Sequence, residues 1–225
     1  IFLIAITSSS ASAVVPGVQI IKPDAGSKYK AGDKITITFC SDPSFTKIDN
    51  ITLYNGYFSS VQTFELNVTL APKKPCHSLT YKLSKNLKPD AQYNIAIITD
   101  DKFVASSATF FIGNPKFGLV ITSPDCNVKA QCGKSIAVKW ENPFNLYKGL
   151  KFDVFFLSVS GGEGFSEFAP AANDVPVSPG YKTVTIPKPG GNVTNSRGYN
   201  VVFALTRPNK PQEIYISDAF SITHC

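Results

Sequence analysis

The sequence of 225 residues contains no methionine, one tryptophan and two histidines, and its five cysteines form no Cys-x-x-Cys pair. With so few imidazoles and no paired thiols, a zinc site is a poor explanation for the cysteines. Helical periodicity is almost absent, and no segment approaches the roughly 18 apolar residues that a membrane-spanning helix needs. We therefore expect no metal site, no helical domain and no membrane anchor.

Catalytic signatures are missing as well. The sequence has no Gly-x-Ser-x-Gly elbow, phosphate loop, calcium loop or dinucleotide fingerprint. His77 and His224 stand beside predicted strand or domain ends. The carboxylate pairs Asp100-Asp101 and Glu163…Glu167 lie in predicted turns, where solvated carboxylates are ordinary. This pattern predicts a protein that is not an enzyme, with no catalytic residue and no cofactor.

The charge of the chain is moderate. Lys and Arg total 22 against 16 Asp and Glu, which gives a formal net charge of +6. The even spread of lysine is a weak hint of affinity for acidic surfaces. No basic run exceeds Lys73-Lys74 and the aromatics are not interleaved with basic residues, so no nucleic-acid partner is expected.

What the sequence does contain is an internal repeat. One set of residues recurs 101 positions later without a gap: Ile20, Pro23, Asp24, Lys28, Gly32, Ile35, Ile37 and Phe39 return as Ile121, Pro124, Asp125, Lys129, Gly133, Ile136, Val138 and Trp140. The ends of the copies repeat too, as Ser107, Phe110 and Ile112 against Ser217, Phe220 and Ile222. Because a period near 100 residues fits one globular domain, two tandem domains are predicted, at 14–113 and 114–225.

Short alternating runs between Gly, Pro, Asn and Asp are typical of β-sandwiches. The first copy has predicted strands at Val18–Ile21, Lys34–Phe39, Asn50–Tyr54, Val61–Leu70, Ser78–Leu83, Tyr93–Thr99 and Ala108–Ile112. The second has them at Leu119–Thr122, Ser135–Trp140, Lys151–Val159, Phe165–Ala169, Lys182–Ile186, Tyr199–Leu205 and Ala219–Thr223. Seven strands per copy predict an all-β fold of two immunoglobulin-like or fibronectin-III-like sandwiches. Alternation turns Phe39 inward, and we interpret its counterpart Trp140 as a core residue rather than a sugar platform.

Residues 1–13 are similar to part of a signal peptide. Ile1 to Ile6 is apolar, and Ala11-Ser12-Ala13 has the small-x-small pattern of a cleavage site. We therefore expect a secreted protein, located outside the cell. The sequons at Asn50, Asn67 and Asn192 agree with export and are the predicted glycosylation sites.

An oxidising compartment would favour disulfides among the five cysteines. Cys40 ends the second predicted strand and Cys76 precedes the fifth, and these strands are antiparallel neighbours in a seven-strand sandwich. A Cys40–Cys76 bridge is therefore predicted. Cys126 and Cys132 flank the first turn of the second copy and form the favoured second pair. A bond from Cys225 to one of these two, or to another chain, is the open alternative.

A cluster of aromatic residues is the main hint of a binding site. Tyr54-Asn55-Gly56-Tyr57-Phe58 gathers three rings around an Asn-Gly turn. Tyr57 and Phe58 are the candidate glycan contact, because aromatic rings stack on the apolar faces of sugars. In the alternative interpretation, Tyr54 and Phe58 are core residues that flank a hairpin.

Several short motifs resemble those of a known family. They are Ile20-Ile21-Lys22-Pro23-Asp24-Ala25-Gly26, Ala31-Gly32-Asp33-Lys34-Ile35-Thr36-Ile37-Thr38-Phe39, Ile51-Thr52-Leu53-Tyr54-Asn55-Gly56, Tyr93-Asn94-Ile95 and Ser107-Ala108-Thr109-Phe110-Phe111-Ile112. Together they resemble the N-terminal domain of Ser/Thr-rich GPI-anchored fungal cell-wall proteins. Yeast β-1,6-glucan assembly proteins of the killer-toxin-resistance type share that domain. The second copy keeps Ile121, Pro124, Gly133, Trp140, Tyr199 and the Ser217…Phe220-Ser221-Ile222 ending.

The resemblance implies an immunoglobulin-like sandwich, secretion, and a role in or near the fungal wall without catalytic residues. The sequence lacks the Ser/Thr-rich stalk and GPI signal of the family, so no lipid anchor is expected. We therefore predict a non-catalytic extracellular module that binds or organises wall polysaccharide, β-glucan above all. The alternative is an extracellular protein-binding module such as an adhesin, an effector or a protease inhibitor.

Overall fold

The computed structural model describes residues 18–41, 45–56, 59–71, 74–99, 102–114, 118–143, 145, 147–159, 166–178, 180–186, 196–210 and 212–223. The predicted signal peptide, residues 1–13, lies outside these ranges. Regular structure within them is β-strand throughout, so the all-β prediction is confirmed. None of the described residues belongs to a helix long and apolar enough to cross a membrane.

Nine strands are described in the first half of the chain. They are β1 (Val18–Lys22), β2 (Lys28–Tyr29), β3 (Lys34–Ser41), β4 (Lys47–Asn55), β5 (Ser59–Thr69), β6 (Cys76–Lys82), β7 (Asp90–Thr99), β8 (Lys102–Ser106) and β9 (Phe110–Ile112). A small sheet has the order β1-β3-β6, and a larger sheet has the order β2-β9-β7-β4-β5, with β8 paired to β7. The chain leaves the small sheet at Pro23, which has no N–H to donate to a ladder, and joins the larger sheet at β2.

The second half repeats this arrangement. Its strands are β10 (Val120–Ser123), β11 (Lys129–Gln131), β12 (Ser135–Glu141), β13 (Lys151–Val159), β14 (Ser166–Pro176), β15 (Tyr181–Thr185), β16 (Ser196–Leu205), β17 (Glu213–Ile216) and β18 (Phe220–Thr223). The small sheet is β10-β12-β15, and the larger one is β11-β18-β16-β13-β14 with β17 paired to β16. The described strands of each half pair only with strands of the same half.

The strand prediction was correct in kind but missed four short strands. They are β2, β8, β11 and β17, which contain two to five residues each. So few residues carry no readable alternation, and their pairing partners decide that they are extended. β14 also runs seven residues beyond the predicted end at Ala169.

The repeated apolar residues form the cores, as predicted. Ile35, Ile37 and Phe39 are fully buried, and Trp140 is 4% exposed. Phe39 lies opposite Ile20 in β1, and Trp140 lies opposite the counterpart residue Ile121 in β10. The Trp140 indole N–H donates to the Val177 carbonyl at 2.7 Å, so its polar atom is satisfied inside the core. Trp140 is therefore a core residue, which confirms the interpretation made from the sequence.

A buried serine explains the repeat at the end of each copy. The Ser107 hydroxyl accepts a hydrogen bond from the backbone N–H of Ile95 at 2.9 Å, and its own N–H donates to the Ile95 carbonyl. Ser217 does the same with Val201, at 2.8 Å to the hydroxyl. Each serine thus satisfies backbone groups just before the last strand, where the ladder is interrupted.

The two halves contact one another through buried groups. The core of the first half includes Leu157, Val202 and Ile216 of the second. Ile216 N–H donates to the Thr109 hydroxyl at 2.7 Å, and Thr109 N–H donates to the Ile216 carbonyl at 2.8 Å. The Gln19 amide donates to the Ala219 carbonyl at 2.7 Å. We call this contact the junction, and its paired buried hydrogen bonds hold the two halves in one arrangement.

The disulfides confirm one predicted pair and correct the other. Cys40 and Cys76 form a disulfide at the matched ends of the antiparallel strands β3 and β6. The predicted Cys126–Cys132 pair is wrong, because Cys126 is a free thiol whereas Cys132 is disulfide-bonded. Strand β11 lies between Cys126 and Cys132 and extends the chain, which keeps the two residues from folding back on each other. The disulfide partner of Cys132 lies outside the described residues.

Candidate functional site

The structure places the predicted site residues in different regions. Tyr57, Phe58 and Asn192 lie outside the described residues, so the predicted glycan contact and the third sequon stay predictions. The residues before that contact form a turn, in which Gly56 has a φ of 41° and its N–H donates to the Gln92 carbonyl at 2.8 Å. Tyr54 is half-buried in β4.

The two described sequons have different surroundings. Asn67 is exposed, with a φ of 58°, on β5, the terminal strand of its sheet. Asn50 is half-buried in β4, which has a neighbour on each side. Its side-chain oxygen accepts a hydrogen bond from the Thr52 hydroxyl at 2.9 Å. An exposed side chain on an edge strand is open to a glycan, whereas the Asn50 side chain is half-buried and bonded to Thr52.

His77 does not stand in a catalytic arrangement. Its ring is half-buried and stacks on Phe39, with 5.4 Å between ring centroids and 23° between planes. The ring nitrogen Nε2 is buried without a hydrogen-bond partner. This imidazole is packed at the edge of the core, where it lies opposite Phe39 in the β3–β6 pair.

An exposed row of side chains crosses the small sheet of the second half. Tyr181 of β15 lies opposite Lys139 of β12, and Lys139 lies opposite Ser123 of β10. Tyr181 is 60% exposed, and the only other large apolar side chain found exposed among the described residues is Val61, at 42%. We call these three residues the tyrosine row. It presents a ring and an ammonium to solvent, and beside them the half-buried Ser123, whose hydroxyl donates to the Ala137 carbonyl at 3.1 Å.

Hydroxyl groups continue the surface along the strands. Thr183 and Thr185 follow Tyr181 at every second position of β15, so all three point to the same side. Thr185 lies opposite Ser135 of β12. Both threonines and Ser135 are exposed. The arrangement can bind a sugar chain, since the ring offers an apolar platform and the hydroxyls and ammonium can bond sugar oxygens.

Sequence reasoning missed the tyrosine row. The predicted strand began at Lys182 and excluded the tyrosine one residue earlier. The available signal was the alternation of Tyr181, Thr183 and Thr185 with the buried Val184. This pattern marks the first three as solvent-facing and identifies an aromatic residue among them.

The junction carries a cluster of acidic groups. Asp218, between β17 and β18, accepts a backbone hydrogen bond from Ala25 of the first half. Burial raises the pKa of Asp218 to about 6, and the charges of Asp24 and Asp125 add to the effect. Burial raises the pKa of the Cys126 thiol, and the charges of Asp218, Asp125 and Asp24 add to the effect. An ionised Asp218 is therefore disfavoured at this contact.

A buried polar network lies beside the junction. Tyr147 and Tyr215 donate hydrogen bonds to the same oxygen of Glu213, at 2.5 and 2.7 Å. Arg207 pairs with the other oxygen of Glu213, and its guanidinium lies 5.7 Å from the centroid of the Tyr147 ring. Burial raises the pKa of both tyrosines, so both remain protonated donors. Because the carboxylate and both hydroxyls are paired, we interpret this network as part of the core.

Comparison with protein families gives a match, which lies in the first half of the chain. Residues 22–112 match the model of the Kre9/KNH-like N-terminal Ig-like domain. The matched segment runs from the last residue of β1 to the last residue of β9. The comparison with curated proteins finds no match.

Solved structures give the fold of the larger part of the chain. The two tandem V-type regions of VCBP3, a v-region-containing chitin binding protein, align at 11% identity with a TM-score of 0.50, over 92% of this chain and 99% of that one. The fibronectin(III)-like modules of Clostridium thermocellum CbhA align at 17% identity with a TM-score of 0.25, over 92% and 93%. The alignment with VCBP3, at a TM-score of 0.50, shows the immunoglobulin-like sandwich fold, and at 11% identity it shows nothing about ligands. The family match supports the assignment that the resemblance indicated for residues 22–112, to the Kre9/KNH-like N-terminal Ig-like domains.

Proposed function

We propose that this protein is a secreted, non-catalytic module that binds wall polysaccharide, β-glucan above all, through the tyrosine row. Exposure of the Tyr181 ring is the observation that carries the proposal, because Val61 is the only other large apolar side chain found exposed among the described residues. The family match of residues 22–112 supports a place in or near the fungal cell wall.

The chemistry of the row fits a neutral glycan. A sugar ring can stack on Tyr181 while one of its hydroxyls accepts a hydrogen bond from the Lys139 ammonium, which lies beside the ring in register. Another sugar hydroxyl can donate to the Ser123 oxygen, whose own proton is donated to the Ala137 carbonyl at 3.1 Å. The exposed face of this small sheet suits an extended sugar chain that lies along or across the strands. No loop in the described part of the protein has to move before such a chain can bind. The predicted contact at Tyr57 and Phe58 would be a second aromatic site on the other half.

Retention on insoluble β-glucan and on chitin tests the proposal. Tyr181→Ala removes the ring and should weaken retention roughly tenfold, whereas Tyr181→Phe keeps the stacking surface and should retain most of it. Val61→Ala removes an exposed apolar side chain elsewhere and serves as the control. Equal retention of the wild type and the Tyr181→Ala variant would rule out the tyrosine row.

The same columns separate the alternative function. Passage of the folded wild-type protein through both matrices would favour an extracellular protein partner. A double variant, Tyr57→Ala with Phe58→Ala, distinguishes the second aromatic site from the first. Loss of retention in that variant alone would move the glycan contact to Tyr57 and Phe58.

A further inference from the structure

The small sheet of the first half has an outward face of different chemistry. Its members are the side chains of β3 and β6 that alternate away from the core: Lys34, Thr36 and Thr38 on β3, and Ser78, Thr80 and Lys82 on β6. We call this surface the lysine–threonine face. All of these side chains are exposed except Thr38, which is half-buried. The face contains no aromatic and no acidic residue.

The register places two like charges directly opposite one another. Lys34 of β3 pairs with Lys82 of β6. Directly opposed like charges destabilise an antiparallel ladder. Neither lysine forms an ion pair with a described residue. The nearest carboxylate along the chain, Asp33, accepts a hydrogen bond from the backbone N–H of Lys30 at 2.7 Å.

Two pairs of hydroxyls continue from the lysines along the strands. The hydroxyl oxygens of Thr36 and Thr80 are 3.1 Å apart, and those of Thr38 and Ser78 are 3.0 Å apart. Each pair has two O–H protons and uses one in the shared bond, so one proton remains to donate outward. Residues two apart on a strand are separated by roughly 6.8 Å, so the free donors recur at that spacing.

We propose that the lysine–threonine face binds an acidic polysaccharide, with a carboxylate or other acid group of the chain held between Lys34 and Lys82. Opposed ammonium groups without a counter-ion supply the charge complementarity, since an anion between them converts repulsion into two charge-assisted hydrogen bonds. The row of hydroxyl donors then meets oxygens of the following sugars.

Other polyanions fit this face less well. Single-stranded nucleic acids bind through aromatic platforms, and none is present on this face. Protein interfaces are depleted in lysine and serine at their cores, and here these residues form the centre of the surface. In the second half, the counterparts Ser135 and Ala137 remove both a lysine and a hydroxyl, so the site belongs to the first half alone.

The experiment uses the full chain and a labelled, linear polygalacturonate chain as the probe, measured by fluorescence anisotropy at low salt. The double variant Lys34→Gln/Lys82→Gln should weaken binding roughly tenfold or more. The matched control, Lys148→Gln/Lys210→Gln, removes the same charge from exposed positions elsewhere and should change binding less than about twofold. An equal loss of binding affinity in both double variants would show that only the net charge of the protein matters, and it would overturn the proposal.

Further arms test the hydroxyls and the class of ligand. Thr36→Val/Thr80→Val keeps the shape of the strand and removes one donor pair, and it should weaken binding of the probe severalfold. Binding of a DNA duplex or of a neutral dextran with the same dependence on Lys34 and Lys82 would overturn the assignment to an acidic glycan. No binding of polygalacturonate by the wild type would do the same. The proposal does not depend on the tyrosine row, since Tyr181→Ala should leave polygalacturonate binding unchanged.

Discussion

The acidic group at the junction should make stability depend on pH in a defined way. The pKa of Asp218 is about 6 in the folded protein against an ordinary value of 3.8. The native state therefore holds this proton to higher pH than the unfolded chain does. The contribution of Asp218 to stability is fully present below about pH 4, falls as the pH rises toward 6, and is lost above that value.

The size of the effect follows from the shift. A difference of about two pKa units, at 1.36 kcal/mol each, corresponds to about 3 kcal/mol of penalty for the ionised group at neutral pH. Asp218→Asn removes the charge and keeps an oxygen that can accept the hydrogen bond from Ala25. We therefore expect this variant to be more stable than the wild type at pH 7.5, by up to about 3 kcal/mol.

Urea unfolding between pH 4 and pH 8, followed by fluorescence, measures the difference. The advantage of Asp218→Asn should shrink as the pH falls and vanish near pH 4, because the wild type is then protonated at the same position. Glu141→Gln removes an exposed carboxyl on β12 and is the control for the loss of one negative charge. A difference independent of pH, or a less stable Asp218→Asn variant at pH 7.5, would refute the reasoning.

Two further predictions follow from the structure. Gln131 lies opposite Thr223 in the parallel β11–β18 pair, and Cys132 and Cys225 follow these residues in sequence by one and two positions. We therefore expect disulfide mapping by mass spectrometry to find a Cys132–Cys225 bond and one alkylatable thiol at Cys126; a bridge that contains Cys126 would contradict this. In protein secreted from a eukaryotic host, Asn67 should carry a glycan and Asn50 should not, because only Asn67 is exposed at a sheet edge. The Asn67→Gln variant should therefore be lighter by the mass of one glycan, whereas Asn50→Gln should lose no glycan. The opposite result would show that burial in the final fold does not govern which sequon is glycosylated.

The repeat in the sequence contains more structural information than any single motif. Phe39 and Trp140 take matching positions because both alternate inward on the second long strand of their half. The Cys40–Cys76 pair followed from the same reasoning, since strand order in a sandwich places those strand ends together. The inward positions of Phe39 and Trp140 and the Cys40–Cys76 pair follow from the alternation and spacing of residues along the chain, and they depend on little else.

The cysteines of the second half show where this reasoning ends. Cys126 and Cys132 are close in sequence, which favoured a local bridge, yet β11 extends the chain between them and pairs with the last strand. A three-residue strand has no alternation to read, and it forms because a distant strand offers unpaired backbone groups. Such contacts can be predicted only when it is known which strands become neighbours.

The tyrosine row, the lysine–threonine face and the acidic group at the junction also depend on which strands become neighbours. The sequence by itself determined the strand pattern, the buried apolar positions, the first disulfide and the resemblance of residues 22–112 to a wall-protein domain. Only the tertiary structure decided that Tyr181 faces solvent beside Lys139, that Lys34 opposes Lys82, and that Asp218 is enclosed at the junction. The reason is that strand register and the packing of the halves join residues far apart in the chain, and no local pattern encodes those distances.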